Sequence, residues 1–154
     1  MFREMRKKNR QLTTEEARAI LEKCPWGTLS TVGEDGWPYG VPVNYVVEDN
    51  EIYIHCAKTG HKLDNIRHND KACFTAVSRA NVLSAEFSTD YESVVAFGRA
   101  AFVDDSEARR ALQLIIAKYS PEFKPAGDAM VQQMANVTQV IRIDVEHITG
   151  KARK

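Results

Sequence analysis

The chain has 154 residues, of which 44% are hydrophobic and 27% charged, and its 21 basic side chains balance 21 acidic ones. This length suits one domain with a sizeable core, and a net charge of zero gives no reason to expect a nucleic-acid partner. No apolar run approaches the roughly 18 residues of a membrane span, and no apolar signal core follows the basic residues 1–10. We therefore expect one cytoplasmic domain over residues 1–154, without a membrane partner, in which residues 1–10 form a mobile basic arm.

The first predicted elements are a helix and a strand. Thr13 and Glu16 have the spacing of a capping box, which predicts a helix start, and Pro25 ends that helix. Residues 26–32 are rich in strand-forming side chains, and the glycines of residues 33–36 indicate a turn. A helix followed by a hairpin is therefore expected.

Residues 39–47 and 51–57 are predicted to be the next strands. Pro42 cannot donate a ladder hydrogen bond, so the first of them lies at an edge, contains a bulge or is approached by a ligand. Alternation along the second places Tyr53 and His55 on one face, with Tyr53 expected to pack rather than to stack on a ligand. The opposite face receives Ile52, Ile54 and Cys56.

A basic cluster follows this strand, where a helix is predicted over residues 62–68. Lys58, Gly60, His61 and Lys62 lie at its start, where backbone N–H groups have no intrahelical partner. A helix start with basic side chains binds anions well, so the cluster indicates a phosphate site. His61 is equally consistent with a helix cap.

The second half of the chain begins with two predicted strands, residues 71–78 and 91–103. The polar residues 79–90 between them indicate an irregular loop that could cover a site. Gly98, inside the second strand, predicts a bend or bulge.

A second capping box, Asp104 with Glu107, predicts a helix that ends at Tyr119. Residues 121–135 are expected to form a loop with a short helix, in which two methionines fill the core rather than line a pocket. The last predicted strand covers residues 137–148, with His147 on the same parity as the inward residues Ile141, Ile143 and Val145.

Short turns link most of the six or so strands, so the sheet should be antiparallel and should curl into a barrel to bury its core. The fold class is thus α+β, mainly β with helices. The three cysteines, Cys24, Cys56 and Cys73, lack the close spacing of a disulfide framework or a zinc site, and we expect no metal.

Three stretches together resemble a known family. They are GTLSTVGEDGWPYGVPVNYVVEDNEIYIHCAKTGHKLDNIRHNDKACFTAV, YESVVAFGRA and VIRIDVEHITGKA. They resemble the pyridoxamine 5′-phosphate oxidase-like flavin-binding split barrels, and most of all the 5-nitroimidazole resistance branch, to which the HCAKTGHKLDNI run is fairly specific. The resemblance implies a six-stranded Greek-key split barrel and a homodimer with FMN at its interface.

The resemblance also implies roles for particular residues. Lys62 and the neighbouring backbone would meet the FMN phosphate, and residues 41–44 would lie along the flavin ring. His55 would lie close to the ring. Because an imidazole can deliver protons near neutral pH, His55 is also the predicted catalytic residue. The implied cofactor-binding residues are Val41, Pro42, Val43, Asn44, His55, Cys56, Ala57, Gly60, His61 and Lys62.

The expected function is an FMN-dependent oxidoreductase that reduces a small electron-poor molecule such as a nitroimidazole or another nitroaromatic. NAD(P)H is a possible electron donor, although no GxGxxG fingerprint is present to bind it. The basic C-terminal pattern of true pyridoxamine phosphate oxidases is not recognisable, which argues against vitamin B6 synthesis. The alternatives are a non-catalytic flavin-binding or redox-regulatory module, and a split barrel that holds deazaflavin F420 or haem.

Overall fold

The computed structural model describes all residues 1–154. It contains one seven-stranded antiparallel sheet, four α-helices and four short 3-10 turns. The strands are β1 Gly27–Val32, β2 Pro38–Val43, β3 Val46–Glu48, β4 Glu51–Ala57, β5 Lys71–Leu83, β6 Ser88–Phe102 and β7 Thr138–Arg153. The helices are α1 Thr14–Lys23, α2 His61–His68, α3 Asp105–Tyr119 and α4 Lys124–Met134.

The sheet curls into a split barrel because its two edges are tied together. The strand order is β2-β1-β5-β6-β7-β4-β3, so β2 and β3 are the edge strands. Only Asn44 and Tyr45 separate them in the chain, and a link of that length spans about 10 Å. The edges therefore face each other without pairing. The chain passes through α2 from β4 to β5, which lies near the other edge, and this connection gives the Greek-key order.

The predicted split barrel is confirmed, with seven strands rather than six. The difference arises at residues 39–47, which form two strands instead of one. The link is held by α3: the Tyr119 hydroxyl accepts a hydrogen bond from the Tyr45 backbone N–H at 3.0 Å. Lys118 Nζ donates to the carbonyl oxygens of Cys24 and Tyr45, at 2.8 and 2.9 Å. The backbone therefore leaves the β2 ladder at this point.

Alternation along the strands produces the core inside the barrel. Leu29, Ile54 and Ile143 are fully buried there, and α1 packs against them through Ile20 and Leu21. A second cluster lies outside the barrel, where α3 and α4 cover β3, β4 and β7. The capping box of α1 is present in both directions, as predicted.

Three predicted segments are wrong in extent. Residues 79–90 are not a loop, because β5 and β6 continue as a hairpin past a bulge between Val77 and Arg79. Neither face of this hairpin is covered, so its sequence lacks the alternation that marks a half-buried strand. Residues 121–135 form a 3-10 turn and the 11-residue helix α4 rather than a loop with a short helix. The last strand runs to Arg153 instead of ending at residue 148.

A bulge also reverses the predicted direction of His147. Opposite Phe97 and Gly98, β7 skips Glu146, so that Phe97 pairs with His147 and Gly98 with Val145. The extra residue shifts the side-chain parity by one, so His147 lies on the outer face beside Phe97. There the Phe2 ring stacks on the imidazole at 4.8 Å, and its Nε2 is buried without a hydrogen-bond partner.

The second capping box is half formed. Asp104 accepts the backbone N–H of Glu107 at 2.9 Å, but the Glu107 carboxylate binds elsewhere. It accepts hydrogen bonds from Arg142 Nη1 at 2.9 Å and from the Tyr53 hydroxyl at 3.0 Å. Arg142 also donates from Nε to Asp144 at 2.8 Å. Tyr53 therefore packs under α3, as predicted, within a network of charged groups.

We expect Arg142→Met to lower the free energy of unfolding by about 1.5–3 kcal/mol, because it removes charge-assisted hydrogen bonds from a half-buried carboxylate. Arg99→Met is the matched control, since Arg99 also bridges two carboxylates, Asp70 and Glu146, but is 50% exposed against 28% for Arg142. Its loss should be below about 1 kcal/mol. Urea denaturation of both variants measures the difference, and equal losses would contradict the prediction.

Candidate functional site

The start of α2 is an open basic surface. Gly60 precedes the helix with φ 148°, a conformation that favours glycine, and no side chain caps the first turn. Lys58 and Lys62 have no acidic partner within ion-pair distance, unlike Lys8, Lys23 and Lys124. Unpaired N–H groups and free ammonium groups therefore face solvent together.

His61 and Tyr39 connect this helix start to edge strand β2. Their rings stack with centroids 3.9 Å apart. The cap of α2 is Gly60, so the alternative in which His61 caps the helix is not what the structure shows. The helix begins at His61, one residue before its predicted start.

His55 and Cys56 point to opposite sides of β4, as the alternation predicted. His55 lies on the outer face, and Cys56 packs against the barrel core. The pKa of His55 is lowered from its ordinary value, first by partial desolvation and then by the positive charge of Lys62. Burial raises the pKa of the Cys56 thiol, while Lys62 opposes that rise. Lys62 is thus the charge that acts on both residues at the end of β4.

The predicted cofactor-binding residues of β2 lie in two different environments. Val41 and Val43 point toward the barrel core and are half-buried, whereas Pro42 is exposed. The Asn44 amide donates to the carbonyl oxygen of Pro25 at 3.0 Å. Ala57, at the end of β4, is exposed. The structure therefore brings the β4 end together with the α2 start through Lys62, and β2 joins them through the Tyr39–His61 stack.

An apolar groove beside His55 was not predicted. It has a volume of about 240 Å³ and lies between β4, β7, α3 and α4. Its lining includes His55, Thr138, Leu112, Ile116, Met130 and Met134. The two methionines are 59% and 47% exposed, so they line a groove instead of filling the core. Their spacing of four residues places both on one helix face, and that was the available signal.

A broad outer face of the sheet was also missed. It consists of outward positions of β2, β1, β5 and β6 and ends at Cys73 and Phe97, beyond which the charged pair Lys71 and Arg99 continues the same side of the sheet; we call it the uncharged face. Its members alternate with buried barrel residues and none carries a charge: Pro38, Gly40, Pro42, Thr28, Ser30, Val32, Cys73, Thr75, Val77, Ser93, Val95 and Phe97. Val77 is 51% exposed and Phe97 39%. No helix packs extensively on this face.

The side-chain clusters and the helices were compared with the requirements of a metal site and of a membrane span. No three His, Cys, Asp or Glu side chains are grouped so that they could hold a metal ion. None of the helices is long and apolar enough to cross a membrane.

Comparison with solved structures identifies the fold. The chain superposes on a candidate 5-nitroimidazole antibiotic resistance protein from Bacteroides thetaiotaomicron with a TM-score of 0.75 and 23% identity, covering 92% of this chain and 85% of that one. An FAD- and haem-binding protein from Mycobacterium smegmatis gives a TM-score of 0.81 at 20% identity, covering 94% and 74%. The flavocytochrome Anf3 from Azotobacter vinelandii gives 0.81 at 19% identity, covering 98% and 72%.

Comparison of the sequence with family models identifies its relatives. Among curated proteins, none matches the chain significantly. The family model described as pyridoxamine 5′-phosphate oxidase matches residues 13–152, which is nearly the whole sequence. With the split barrel described above, this match shows that the chain belongs to the pyridoxamine 5′-phosphate oxidase family.

Proposed function

We propose that the protein is a flavin-dependent oxidoreductase that uses FMN to reduce a small electron-poor organic molecule, such as a nitroimidazole or another nitroaromatic. The observation that carries the proposal is the uncapped basic start of α2, which lies next to His55 at the end of β4. The family match and the flavin-binding neighbours support a flavin. The neighbour named for nitroimidazole resistance supports the class of substrate.

The residues at the α2 start fit a phosphate-bearing cofactor. Lys62 and Lys58 supply positive charge without a competing carboxylate, and the first N–H groups of α2 supply donors. A Cβ at Gly60 would have no neighbour within 4 Å, so the approach to these donors is open. We assign the phosphate to Lys62 with Gly60 and His61, and the ring to the adjoining segments Val41–Asn44 and His55–Ala57. When bound, the flavin supplies the electron transfer.

His55 would supply the proton. Its imidazole lies on the outer face and lines the groove, and no hydrogen bond to the protein occupies either ring nitrogen. Reduction of a nitro group consumes protons as well as electrons, and an imidazole nitrogen can deliver them near neutral pH. The apolar groove walls would keep water away from the same place.

We further propose a homodimer with the flavin at its interface. Phe2 of the same chain stacks on Phe97 at 5.4 Å, but Val77 remains 51% exposed on this uncharged face, and broad uncharged surfaces with exposed apolar side chains mark interaction sites. A two-fold axis would pair this face with its copy and bury both at once. The edge strand β2, which contributes to the candidate cofactor site, also forms one side of this face.

The absorption spectrum of the freshly purified protein is the first test. A flavin spectrum supports the proposal, whereas a haem or deazaflavin spectrum would show that the protein binds that cofactor instead of FMN. Steady-state reduction of a nitroaromatic or a quinone with NAD(P)H then separates an enzyme from a flavin-binding module without turnover. Flavin without any turnover would favour the second.

We expect Lys62→Ala to weaken FMN binding at least about tenfold. A charge-assisted hydrogen bond to an anion contributes roughly 1.5–3 kcal/mol, and about 1.4 kcal/mol corresponds to a factor of ten. Riboflavin, which lacks the phosphate, should bind the wild type poorly and be almost insensitive to the substitution. Titration by flavin fluorescence measures both affinities.

Lys124→Ala is the control for this experiment, because Lys124 is an exposed lysine of α4 that pairs with Asp128. It should leave FMN affinity unchanged. Equal binding of riboflavin and FMN by the wild type would show that the α2 start is not the phosphate site.

A further inference from the structure

The groove beside His55 is formed by the way in which α4 packs next to α3. Only one residue of α4, Val131, is buried. Met130 and Met134 of α4 line the groove together with Leu112 and Ile116 of α3. At the N-terminal half of α4, in contrast, Gly127 lies so close to Ile116 that a Cβ there would overlap its side chain. The two helices also meet at Val131, which packs with the buried residues of α3, and at Gln132, whose side-chain oxygen accepts a hydrogen bond from Arg109 Nη1 at 3.0 Å. The groove lies beside these contacts.

The lining of the groove determines which kind of ligand can bind there. The lining is apolar except for the His55 imidazole and the Thr138 hydroxyl, and it contains no carboxylate. A cation would lose its hydration without finding an anionic partner, and the positive charge of Lys62 lies close to His55. Flexible, polarizable methionines adapt to flat aromatic surfaces and make favourable sulfur–aromatic contacts.

The volume of the groove limits the size of the ligand that it can hold. Its volume of about 240 Å³ lies below the roughly 300–1,000 Å³ of sites for drug-sized ligands. A dry apolar cavity of about 150 Å³ is known to hold benzene in another protein. A single substituted ring therefore fits the groove, and a nucleotide does not.

We propose that the groove between α3 and α4 is a binding site for a small, uncharged aromatic molecule with one polar substituent, whose polar end meets His55 and Thr138 while Met130 and Met134 cover the ring. The inference deepens the proposed function, since it places the electron acceptor within reach of His55. It rests on that function only for the role of the bound molecule, not for its binding.

The methionine methyl groups provide a direct test. The chain has four methionines: Met130 and Met134 line the groove, and Met1 and Met5 lie in the N-terminal arm as internal controls. We would titrate protein labelled with ¹³C at the methionine methyls with nitrobenzene, keeping the protein as purified. The Met130 and Met134 resonances should shift to saturation, whereas those of Met1 and Met5 should not move. The 4-nitrobenzylammonium cation should bind at least about tenfold more weakly.

A charge at the mouth of the groove should block binding. Met134→Arg, at a side chain that is 47% exposed and so tolerant of substitution, should weaken nitrobenzene at least about tenfold. Val137→Arg is the matched control, because Val137 is 58% exposed and close in sequence but does not line the groove. Circular dichroism shows whether both variants are folded.

The outcomes separate this inference from the proposed function. Selective shifts of Met130 and Met134 that Met134→Arg abolishes would support the inference, whether or not the protein carries flavin. A flavin-containing protein in which nitrobenzene leaves both resonances unmoved would overturn the inference and leave the proposed function standing. Binding that Met134→Arg and Val137→Arg affect equally would also overturn it.

Discussion

An arginine in place of Val95 should convert the proposed dimer into a monomer and raise the dimer dissociation constant by at least about 100-fold. Val95 is the outward residue of β6 between Ser93 and Phe97 on the uncharged face, paired with Thr75 of that face on one side and with Thr149 of β7 on the other. An unpaired charge buried in an interface costs roughly 2–5 kcal/mol. In a two-fold dimer the substitution occurs twice in the same interface, so the cost is paid at two sites.

Light scattering and sedimentation at micromolar concentration measure the change. FMN affinity should fall together with dimerisation if the cofactor is bound between the subunits. Ala117→Arg, on the exposed side of α3, introduces the same charge away from the uncharged face and should leave the dimer intact. A wild-type protein that is monomeric with flavin bound would refute the prediction outright.

The sequence predicted the barrel because inward-facing apolar residues alternate with polar ones along its strands, even where α3 and α4 cover the outer side. In β4 and β7, buried isoleucines alternate with polar or outward residues, and that period of two can be recognised directly. The start of α1 was equally readable, because both members of its capping box bond as the pattern requires. Glu107, in contrast, has the right spacing to cap α3 but binds Arg142, a partner that is distant in sequence. Spacing cannot show which of two partners a carboxylate will take.

The outward direction of His147 was not predictable from alternation. A bulge is a feature of two paired strands, and its cause lies in the partner, where Gly98 allows close approach to the Asp144 carbonyl. Gly98 itself was correctly interpreted as a bend or bulge, but its consequence for β7 depends on register, which the sequence of one strand does not contain. The exposed hairpin of β5 and β6 was missed for a similar reason, since a strand with two solvent-facing sides shows no hydrophobic period.

The candidate site was partly predictable. The basic start of α2 depends on consecutive residues, so the sequence showed it. The groove beside His55 unites β4 with α3, α4 and β7, and the uncharged face unites four strands. Surfaces made from segments so distant along the chain can be recognised only once the topology is known. The sequence shows the identity of each contributing residue but not which of them lie together.

His55→Ala should preserve the fold and most FMN binding but lower turnover of a nitroaromatic acceptor by tenfold or more, because a positioned general acid typically contributes about 10²–10⁴-fold. His55 is exposed on the outer face and makes no hydrogen bond that holds the barrel together. His68→Ala is the matched control, since His68 is an exposed histidine at the far end of α2. Its turnover should equal that of the wild type. An unchanged rate in His55→Ala would show that His55 has no part in the reaction.

The lowered pKa of His55 determines how the reaction rate should change with pH. Partial burial and the positive charge of Lys62 both disfavour the imidazolium, so the pKa of His55 lies below its ordinary value of 6.5. A rate that requires the protonated imidazole should therefore fall as the pH rises through an inflection below 6.5, and His55→Ala should lose that inflection. Lys62→Gln removes the neighbouring charge and should raise the pKa of His55. NMR titration of the imidazole measures this shift independently of turnover, and a pKa that stays the same or falls in Lys62→Gln would show that the two side chains are not coupled in this way.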